Sequence, residues 1–308
     1  LLIAKERTTA TYVSARNSVT GVTKSLFTGL TNAEYTETDG VTAFTSTGFN
    51  LSGDGYGYVN RNTYTYVGWN WKAGGTASSN GDGSITSSVS ANTTAGFSVV
   101  SYTGHGSTTG TVGHGLGVKP DLIITKYLSG SVSWAVYNSP QGATKVIFLD
   151  DTSAEGTGIT YWRDTEPTAS VFSVGASGTT GGNANPYIAY CFHSVEGYSK
   201  VGSYEGNGNA DGSFIYLGFK PEFFLIKNVD ATEAWEVWDG TREPHNKLSK
   251  KISPNTDNAE YTANTTTYAI DFLSNGVKLR TSYSAVNGSN TFLYYAVASS
   301  PFKTSNAR

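Results

Sequence analysis

Two histidines stand close together in the sequence, each between glycines: His105 follows Gly104, and His114 follows Gly113. Imidazole is a common metal ligand, so two histidines that flank a hairpin could share an ion. A related part of the chain has Asn207 at the place of His105 and no second histidine. We therefore expect surface histidines in turns and no metal site.

A second candidate is a polar stretch that begins like a calcium-binding loop. Asn207, Asn209 and Asp211 stand at alternate positions of the run Asn-Gly-Asn-Ala-Asp-Gly. A calcium loop of this type requires a bidentate glutamate at its twelfth position. That position is Gly218, so the sequence predicts a polar hairpin tip instead of a calcium site.

Groups suited to covalent or acid–base catalysis are scarce. The chain has no Gly-x-Ser-x-Gly elbow, phosphate loop or dinucleotide fingerprint between a strand and a helix. Its carboxylates lie mostly in turns or beside lysines, and the sequence does not indicate an acid–base pair. The single cysteine, Cys191, lies in an apolar run, which favours a small buried residue over a reactive thiol. The sequence predicts neither an enzyme nor a cofactor.

Aromatic side chains offer the remaining candidate chemistry, which is stacking on sugar rings. Trp162, Tyr56 and Tyr58 fall in predicted loops and are the candidate ligand-binding residues. Trp134 and Trp235 occupy matching places in two related stretches, so we expect them in a core or at a joint between domains.

The composition indicates strands and tight turns. Charged residues make up 15% of the chain, well below the usual quarter, while Gly, Ser, Thr and Tyr are abundant. The net charge is −3 without a basic run, which argues against binding to nucleic acid. No apolar stretch approaches 18 residues, so membrane insertion is not expected. An all-β protein is the predicted class.

Three stretches of the chain resemble one another, with a shift of 121 residues from the first to the second and of 101 or 102 from the second to the third. Residues 117–126 match 218–227, and Leu1–Lys5 matches 122–126. Each stretch closes on a strand with alternating large side chains. These closing strands contain Val67, Trp69 and Trp71; Ile188, Tyr190 and Phe192; and Leu293, Tyr295 and Val297.

The predicted fold is a row of tandem, jelly-roll-like β-sandwich repeats of about 100 residues each. The first repeat lacks its opening part, so we expect the chain to be incomplete at its N-terminus. Short helical turns remain an option near 239–249. The predicted divisions are the C-terminal part of a first sandwich (1–75), a Gly/Ser/Thr-rich linker (76–95), a second repeat (96–198), a third repeat (199–304) and a tail (305–308).

Several longer motifs resemble a domain of uncharacterised function in structural proteins of marine tailed phages, notably cyanophages. In those proteins it often lies downstream of a lectin-like jelly-roll domain. The motifs are Gly-Leu-Gly-Val-Lys-Pro-Asp-Leu-Ile-Ile (115–124), the run 187–200, Phe-Leu-Ser-Asn-Gly-Val-Lys-Leu-Arg (272–280) and Pro301-Phe302-Lys303. The resemblance covers nearly the whole chain. It implies an extracellular virion protein, either a tail fibre, a tail appendage or a capsid decoration, and brings no catalytic residues.

Our leading hypothesis is therefore a structural virion protein that self-associates, as a trimer if it forms a fibre, and contacts other virion proteins. It could also contribute to host attachment through surface glycans. The alternatives are a carbohydrate-binding adhesin, a polysaccharide depolymerase and a bacterial cell-surface filament subunit.

Overall fold

The computed structural model describes residues 1–53, 58–106, 109–262 and 266–300. Strands make up nearly all of its regular structure, and each of its two helices is a single turn. The predicted all-β class is confirmed. None of the helices in the described part of the chain has the length and apolarity needed to cross a membrane.

The first segment of the chain builds a five-stranded antiparallel sheet in the order β4-β3-β2-β1-β7 and a separate hairpin, β5-β6. In β1 and β2 all but one of the residues are buried, as expected for strands covered on both faces. The strands are β1 (Leu2–Glu6), β2 (Ser14–Arg16), β3 (Lys24–Phe27), β4 (Tyr35–Thr36), β5 (Val41–Phe44), β6 (Phe49–Leu51) and β7 (Tyr66–Asn70).

The second segment forms an eight-stranded sheet, β15-β14-β13-β12-β17-β10-β9-β8, which faces a two-stranded ladder, β11-β16. A one-turn helix, α1 (Ile159–Trp162), precedes β16. The strands are β8 (Ser78–Asn80), β9 (Ser87–Asn92), β10 (Phe97–Thr103), β11 (Gly110–Gly113), β12 (Leu122–Tyr127), β13 (Ala135–Asn138), β14 (Lys145–Phe148), β15 (Gly156–Thr157), β16 (Val171–Val174) and β17 (Pro186–Phe192).

The third segment forms a four-stranded sheet, β18-β24-β20-β21, and a three-stranded sheet, β19-β23-β22. Its helix, α2 (Ser284–Asn287), leads into the last strand, and the helical turns considered near 239–249 do not form. The strands are β18 (Ser199–Glu205), β19 (Phe214–Tyr216), β20 (Pro221–Asn228), β21 (Glu236–Asp239), β22 (Ile270–Leu273), β23 (Gly276–Leu279) and β24 (Thr291–Ala298).

The linker predicted at 76–95 is wrong, because this stretch contains β8 and β9. Strand β9 pairs along β10 from Ser87 opposite Tyr102 to Asn92 opposite Phe97. Serine is abundant in loops, but here Ser87 and Ser90 are buried and hydrogen-bond to main-chain carbonyls. Pairing with the buried strand β10 thus orders a stretch whose composition is typical of a flexible linker.

Positions that match in sequence also match in the sheets. Lys5 lies opposite Val67 on the paired strands β1 and β7, Lys126 lies opposite Ile188 on β12 and β17, and Lys227 lies opposite Leu293 on β20 and β24. The three segments therefore contain the same central strand pair in the same register.

The three sheets pack their inner faces into one shared core. This central core joins residues from all three segments, among them Trp71, Phe192, Phe223 and Tyr295. The indole Nε1 of Trp71 donates to the Tyr295 hydroxyl at 3.0 Å, and the Phe192 and Tyr295 ring centroids are 5.0 Å apart. Aromatic side chains of different segments therefore pack against one another in this central core. Each segment also has a smaller outer core of its own.

Hydrogen bonds link the segments in a closed cycle. The backbone N–H of Glu34 donates to Leu128 O in the second segment at 2.8 Å. The N–H of Glu155 donates to Val229 O in the third segment at 2.7 Å. The N–H of Glu260 returns to Arg7 O in the first segment at 2.9 Å. The same kind of backbone hydrogen bond thus occurs at all three joints and links the three segments in a ring.

Two tryptophans reinforce these joints. Trp134 Nε1 donates to Phe27 O and Leu30 O in the first segment, and Trp235 Nε1 donates to Phe148 O in the second. Both indoles are at most 2% exposed. The prediction that they serve as core or joint residues is confirmed, and they serve as both.

Candidate functional site

Trp162, a predicted sugar-stacking residue, lies in the outer core of the second segment. Helix α1 turns its indole inward, where it is 2% exposed and 6.1 Å from the Tyr137 ring. A sugar cannot reach the face of a ring enclosed on all sides. The expectation of an exposed loop at Trp162 is therefore wrong, because one helical turn is enough to bury the side chain.

The two predicted tyrosines have different outcomes. Tyr56 lies outside the described residues. Tyr58 is half-buried, and its ring meets Phe27 edge-on at a centroid distance of 4.7 Å. Packing of this kind against the outer core of the first segment leaves part of its ring exposed, and the structure does not bring Tyr58 and Trp162 into one site.

The histidine and asparagine candidates have structural partners. His114 is fully buried, contrary to the expectation of a surface turn, and its Nδ1 accepts from Leu116 N at 3.2 Å. Asn207 Oδ1 and Asn209 Oδ1 accept backbone N–H groups within the hairpin tip. Within the described residues, no group of three or more His, Cys, Asp or Glu side chains is placed to hold a metal.

Cys191 is a buried free thiol, as predicted. Its side chain has no exposed surface, and burial raises the pKa of the thiol to about 12. A thiol that stays protonated and covered is a packing residue.

Three buried lysines are the least expected polar groups in the molecule. Lys5, Lys126 and Lys227 have no exposed surface, and burial lowers the pKa of each ammonium to about 8. Nearby carboxylates favour the protonated form and limit this decrease. They are Glu6 and Asp257 for Lys5, Asp150 for Lys126, and Asp151 and Glu233 for Lys227.

Each lysine also reaches across a joint between segments. Lys126 Nζ donates to Thr31 O at 3.0 Å, and Lys227 Nζ donates to Thr152 O at 2.9 Å. Lys5 Nζ lies 3.5 Å from Asp257 O. A depressed lysine pKa can indicate catalysis. Here the ammonium donors are occupied by the framework, so the lysines hold neighbouring segments together.

The surface feature best suited to binding is a groove beside β18, here called the Tyr216 groove. Its volume is about 630 Å³. The Tyr216 side chain is 61% exposed, the largest exposed fraction among the exposed large hydrophobic residues of the described chain. The lining residues are Ser194, Glu196, Gly197, Ser199, Lys200, Tyr216, Leu217, Gly218 and Phe219.

Hydrogen bonds and a glycine turn fix the position of Tyr216 in the groove. Lys200 Nζ donates to Tyr216 O at 2.9 Å and lies 5.5 Å from the centroid of the tyrosine ring. The N–H groups of Leu217 and Gly218 both donate to Asn275 O. Gly218 has a φ of 87°, which glycine adopts without strain and which turns the chain directly after Tyr216.

The groove occupies the place that β9 fills in the second segment. There, Gly115 takes the position of Tyr216, and a Cβ at Gly115 would lie 2.8 Å from Val89 Cγ1 on β9. In the third segment no strand of the described chain pairs with the other edge of β18, so an aromatic ring fits. One signal in the sequence could have indicated this groove: two otherwise matching stretches have Gly115 in the second segment and Tyr216 in the third.

The groove can bind a polar ligand that has one flat apolar face. The exposed Tyr216 ring offers a stacking surface, and the exposed Glu196 and the partly exposed Lys200 beside it offer an acceptor and a donor. A sugar ring has this combination of an apolar face and hydroxyl groups at its edge.

The fold is all-β and sandwich-type, and a groove lined by Tyr216 lies beside β18. Residues 1–301 match the family described as "Domain of unknown function (DUF7483)", and the chain belongs to that family. No curated protein and no solved structure matches the chain.

Proposed function

We propose that this chain is a structural component of a tailed-phage particle, exposed on the virion as part of a tail fibre, a tail appendage or a capsid decoration. It acts as a rigid block that contacts copies of itself and other virion proteins. No catalytic role is part of this proposal.

One observation supports the proposal of a rigid block: three sheets share one core, and hydrogen bonds link the three segments in a closed cycle. A shared core resists hinge motion between the segments, because separating any two of them would expose apolar surface and buried lysines. Rigidity of this kind suits a protein that bears load or repeats in a shell. The phage assignment is supported by the sequence resemblance, which covers nearly the whole chain.

Immunogold electron microscopy of purified particles tests the proposal. Antibodies against the folded chain should label intact virions at a fixed position, and mass spectrometry of those particles should find the chain at a constant copy number. The control is a serum depleted on the purified protein. Label confined to cell debris, with particles free of the chain, would contradict the proposal.

Attachment to host glycans through the Tyr216 groove is a second candidate function, favoured by the exposed Tyr216 ring in a groove that Glu196 and Lys200 also line. A glycan array of the purified protein should give signals that Tyr216→Ala removes. Tyr283→Ala is the matched control, because Tyr283 is also exposed, at 39%, and does not line the groove. Absence of signal across a broad array, or equal loss in both variants, would contradict this function.

A further inference from the structure

Strand β19 has two exposed aromatic rings, and the Tyr216 groove uses one of them. Phe214 is 46% exposed and stands two residues before Tyr216 on the same strand. Residues two apart on a strand point to the same face of the sheet. Ile215 between them is buried in the outer core, so the rings of Phe214 and Tyr216 both lie on the outer face of the sheet β19-β23-β22. These two rings are here called the β19 aromatic pair.

A glycine on the neighbouring strand makes room for the Phe214 ring. Gly276 of β23 lies opposite Tyr216, and a Cβ at this glycine would lie 3.0 Å from Phe214 Cζ. The Phe214 ring therefore reaches diagonally toward β23. It contacts its own sheet there and presents the rest of its surface to solvent, which is what stacking on a ligand requires.

The corresponding strand of the second segment is covered. Ile85 forms a bridge with Val112 of β11, and it belongs to the connection between β7 and β10, residues 71–96. In the third segment the same connection, between β17 and β18, is residues 193–198, which are all described and contain no strand. This short connection does not reach over β19. The aromatic pair is therefore accessible because the third segment lacks the covering hairpin.

Charged side chains beside the aromatic pair are balanced by partners of opposite sign. Lys278 lies opposite Phe214 on β23, and its Nζ is 2.7 Å from Asp211 Oδ1. Arg280 Nε donates to Asp271 Oδ2 at 2.6 Å. Because these charges cancel in pairs, this face of the sheet does not select a ligand by its charge. An uncharged ligand fits it best.

The spacing of the two rings suits a ligand that repeats along its length. The Cα atoms of residues two apart on a strand are about 6.6 Å apart, which is comparable to the length of one sugar unit in a linear chain. Sugar units joined through equatorial oxygens present flat apolar faces, and their hydroxyl groups lie at the edge of the ring. A single terminal sugar would need one aromatic ring, whereas a chain that runs along β19 meets both.

We propose that Phe214 and Tyr216 together bind a neutral, linear polysaccharide along β19, with the two rings stacked on neighbouring sugar units. This inference rests on the glycan-binding function proposed for the Tyr216 groove, and it adds the class of glycan and a second binding residue. Glu196 and Lys200, which line the groove beside Tyr216, hydrogen-bond to hydroxyl groups of the sugar unit on that ring.

A comparison of chain lengths tests the proposal. The probes are uncharged β-1,4-linked hexaoses of glucose and mannose and the corresponding methyl monosaccharides, titrated into the whole protein by NMR. The better-bound hexaose should bind at least about tenfold more tightly than its monosaccharide, because it stacks on two rings. Phe214→Ala should lower the affinity for this hexaose by about tenfold and leave the affinity for the monosaccharide within about twofold.

Two further variants separate the ring from the fold. Phe214→Tyr keeps an aromatic ring and should keep the affinity for the hexaose. Tyr283→Ala is the matched control, because it removes an exposed aromatic ring outside the aromatic pair and the groove. A loss in Phe214→Tyr equal to that in Phe214→Ala, or binding of charged oligogalacturonate alone, would overturn the proposal.

Failure of this inference differs from failure of the glycan-binding function. Hexaose binding that Tyr216→Ala removes and Phe214→Ala leaves unchanged would overturn the paired site, while attachment through the Tyr216 groove would stand. Absence of binding to every neutral and charged glycan tested would contradict both.

A measurement on the wild-type protein decides the question if Phe214→Ala fails to fold. The ring-proton resonances of Phe214 and Tyr216 should both shift when the hexaose is added, and those of Tyr283 should not. A shift of the Tyr216 ring alone would contradict the paired site.

Discussion

Arg7 and Glu260 form a bidentate ion pair across 253 residues of sequence, with Nε to Oε2 and Nη2 to Oε1 both at 2.9 Å. The pair joins the first segment to the third, beside the backbone bond from Glu260 N to Arg7 O. Arg242 Nη1 also donates to Glu260 Oε2, at 2.8 Å. The Glu260 carboxylate therefore closes the cycle of segments, and the two arginines hold its pKa below the usual range despite burial.

Glu260→Gln should destabilise the protein by about 2–4 kcal/mol, because it leaves the buried Arg242 without one of its two anionic partners. Urea unfolding at pH 7 measures the change. The matched control is Glu155→Gln at the corresponding place, where the Lys145 partner is 35% exposed and the loss should stay below about 1 kcal/mol. Equal losses in the two variants would show that closure by Glu260 adds nothing to stability.

Acid should weaken this closure. The folded-state pKa of Glu260 lies below its unfolded value, so the folded state releases the proton more readily. The stability that Glu260 contributes is present above the unfolded pKa, near 4.5, and is lost as the pH falls through the folded value. Wild type should therefore lose more stability than Glu260→Gln between pH 5 and pH 3, as measured by thermal unfolding. Parallel pH profiles would contradict this assignment.

Mildly alkaline solution should stabilise the protein. Burial lowers the pKa of Lys5, Lys126 and Lys227 to about 8, against an ordinary value of 10.5. Between these values the unfolded state binds more protons, so the free energy of unfolding rises with pH. The buried tyrosines and Cys191, whose pKa values are raised, oppose this rise above their unfolded pKa values.

The melting temperature should therefore pass through a maximum near about pH 9–10. Lys126→Met should flatten the rise between pH 8 and pH 9.5, because it removes one of the three titrating groups. It should also lower the stability at pH 7, since Thr31 O and Tyr127 O lose their donor. A stability that falls steadily from pH 7 to pH 10 would refute the depressed lysine pKa values.

The two kinds of buried tryptophan should respond differently to substitution. Trp134→Phe removes an indole N–H that bonds two carbonyls of the first segment. Trp162→Phe removes an N–H that has no partner among the described residues. Both changes leave a similar void, so Trp134→Phe should cost about 1–2 kcal/mol more than Trp162→Phe in chemical denaturation. The opposite order would show that the bonds across the joint do not stabilise the fold.

Cys191 should report global unfolding. Its thiol is covered and its pKa is about 12, so a disulfide reagent at pH 8 should not label the native protein. Labelling should become fast in denaturant, with the same midpoint as circular dichroism. Rapid labelling without denaturant would mean that the centre of the second sheet opens locally.

Much of the strand pattern was readable from the sequence. The alternation in the closing stretches predicted buried central strands, and Ile188, Tyr190 and Phe192 lie on β17, which is buried apart from Pro186. Strands β8 and β9 were missed because their serines carry no hydrophobic alternation. They are strands because β9 pairs with the buried strand β10 and β8 pairs with β9, and backbone pairing of this kind leaves no mark in local composition.

The candidate site was less predictable. Trp162 sits beside turn residues in the sequence, yet one helical turn directs it into a core. Tyr216 is the last residue of β19, and it is exposed because the described part of the third segment has no counterpart of β9. In both cases neighbours from distant parts of the chain decide the exposed fraction of the ring.

The sequence by itself determined the all-β class, the common register of three central strand pairs and the burial of Cys191, because these depend on the order of apolar and polar residues along each strand. The tertiary structure alone decided that three sheets share one core and that Lys5, Lys126 and Lys227 bridge the joints. An alternating strand specifies which of its faces are buried. It does not specify what buries them, since any apolar surface of the right shape lowers the free energy equally well.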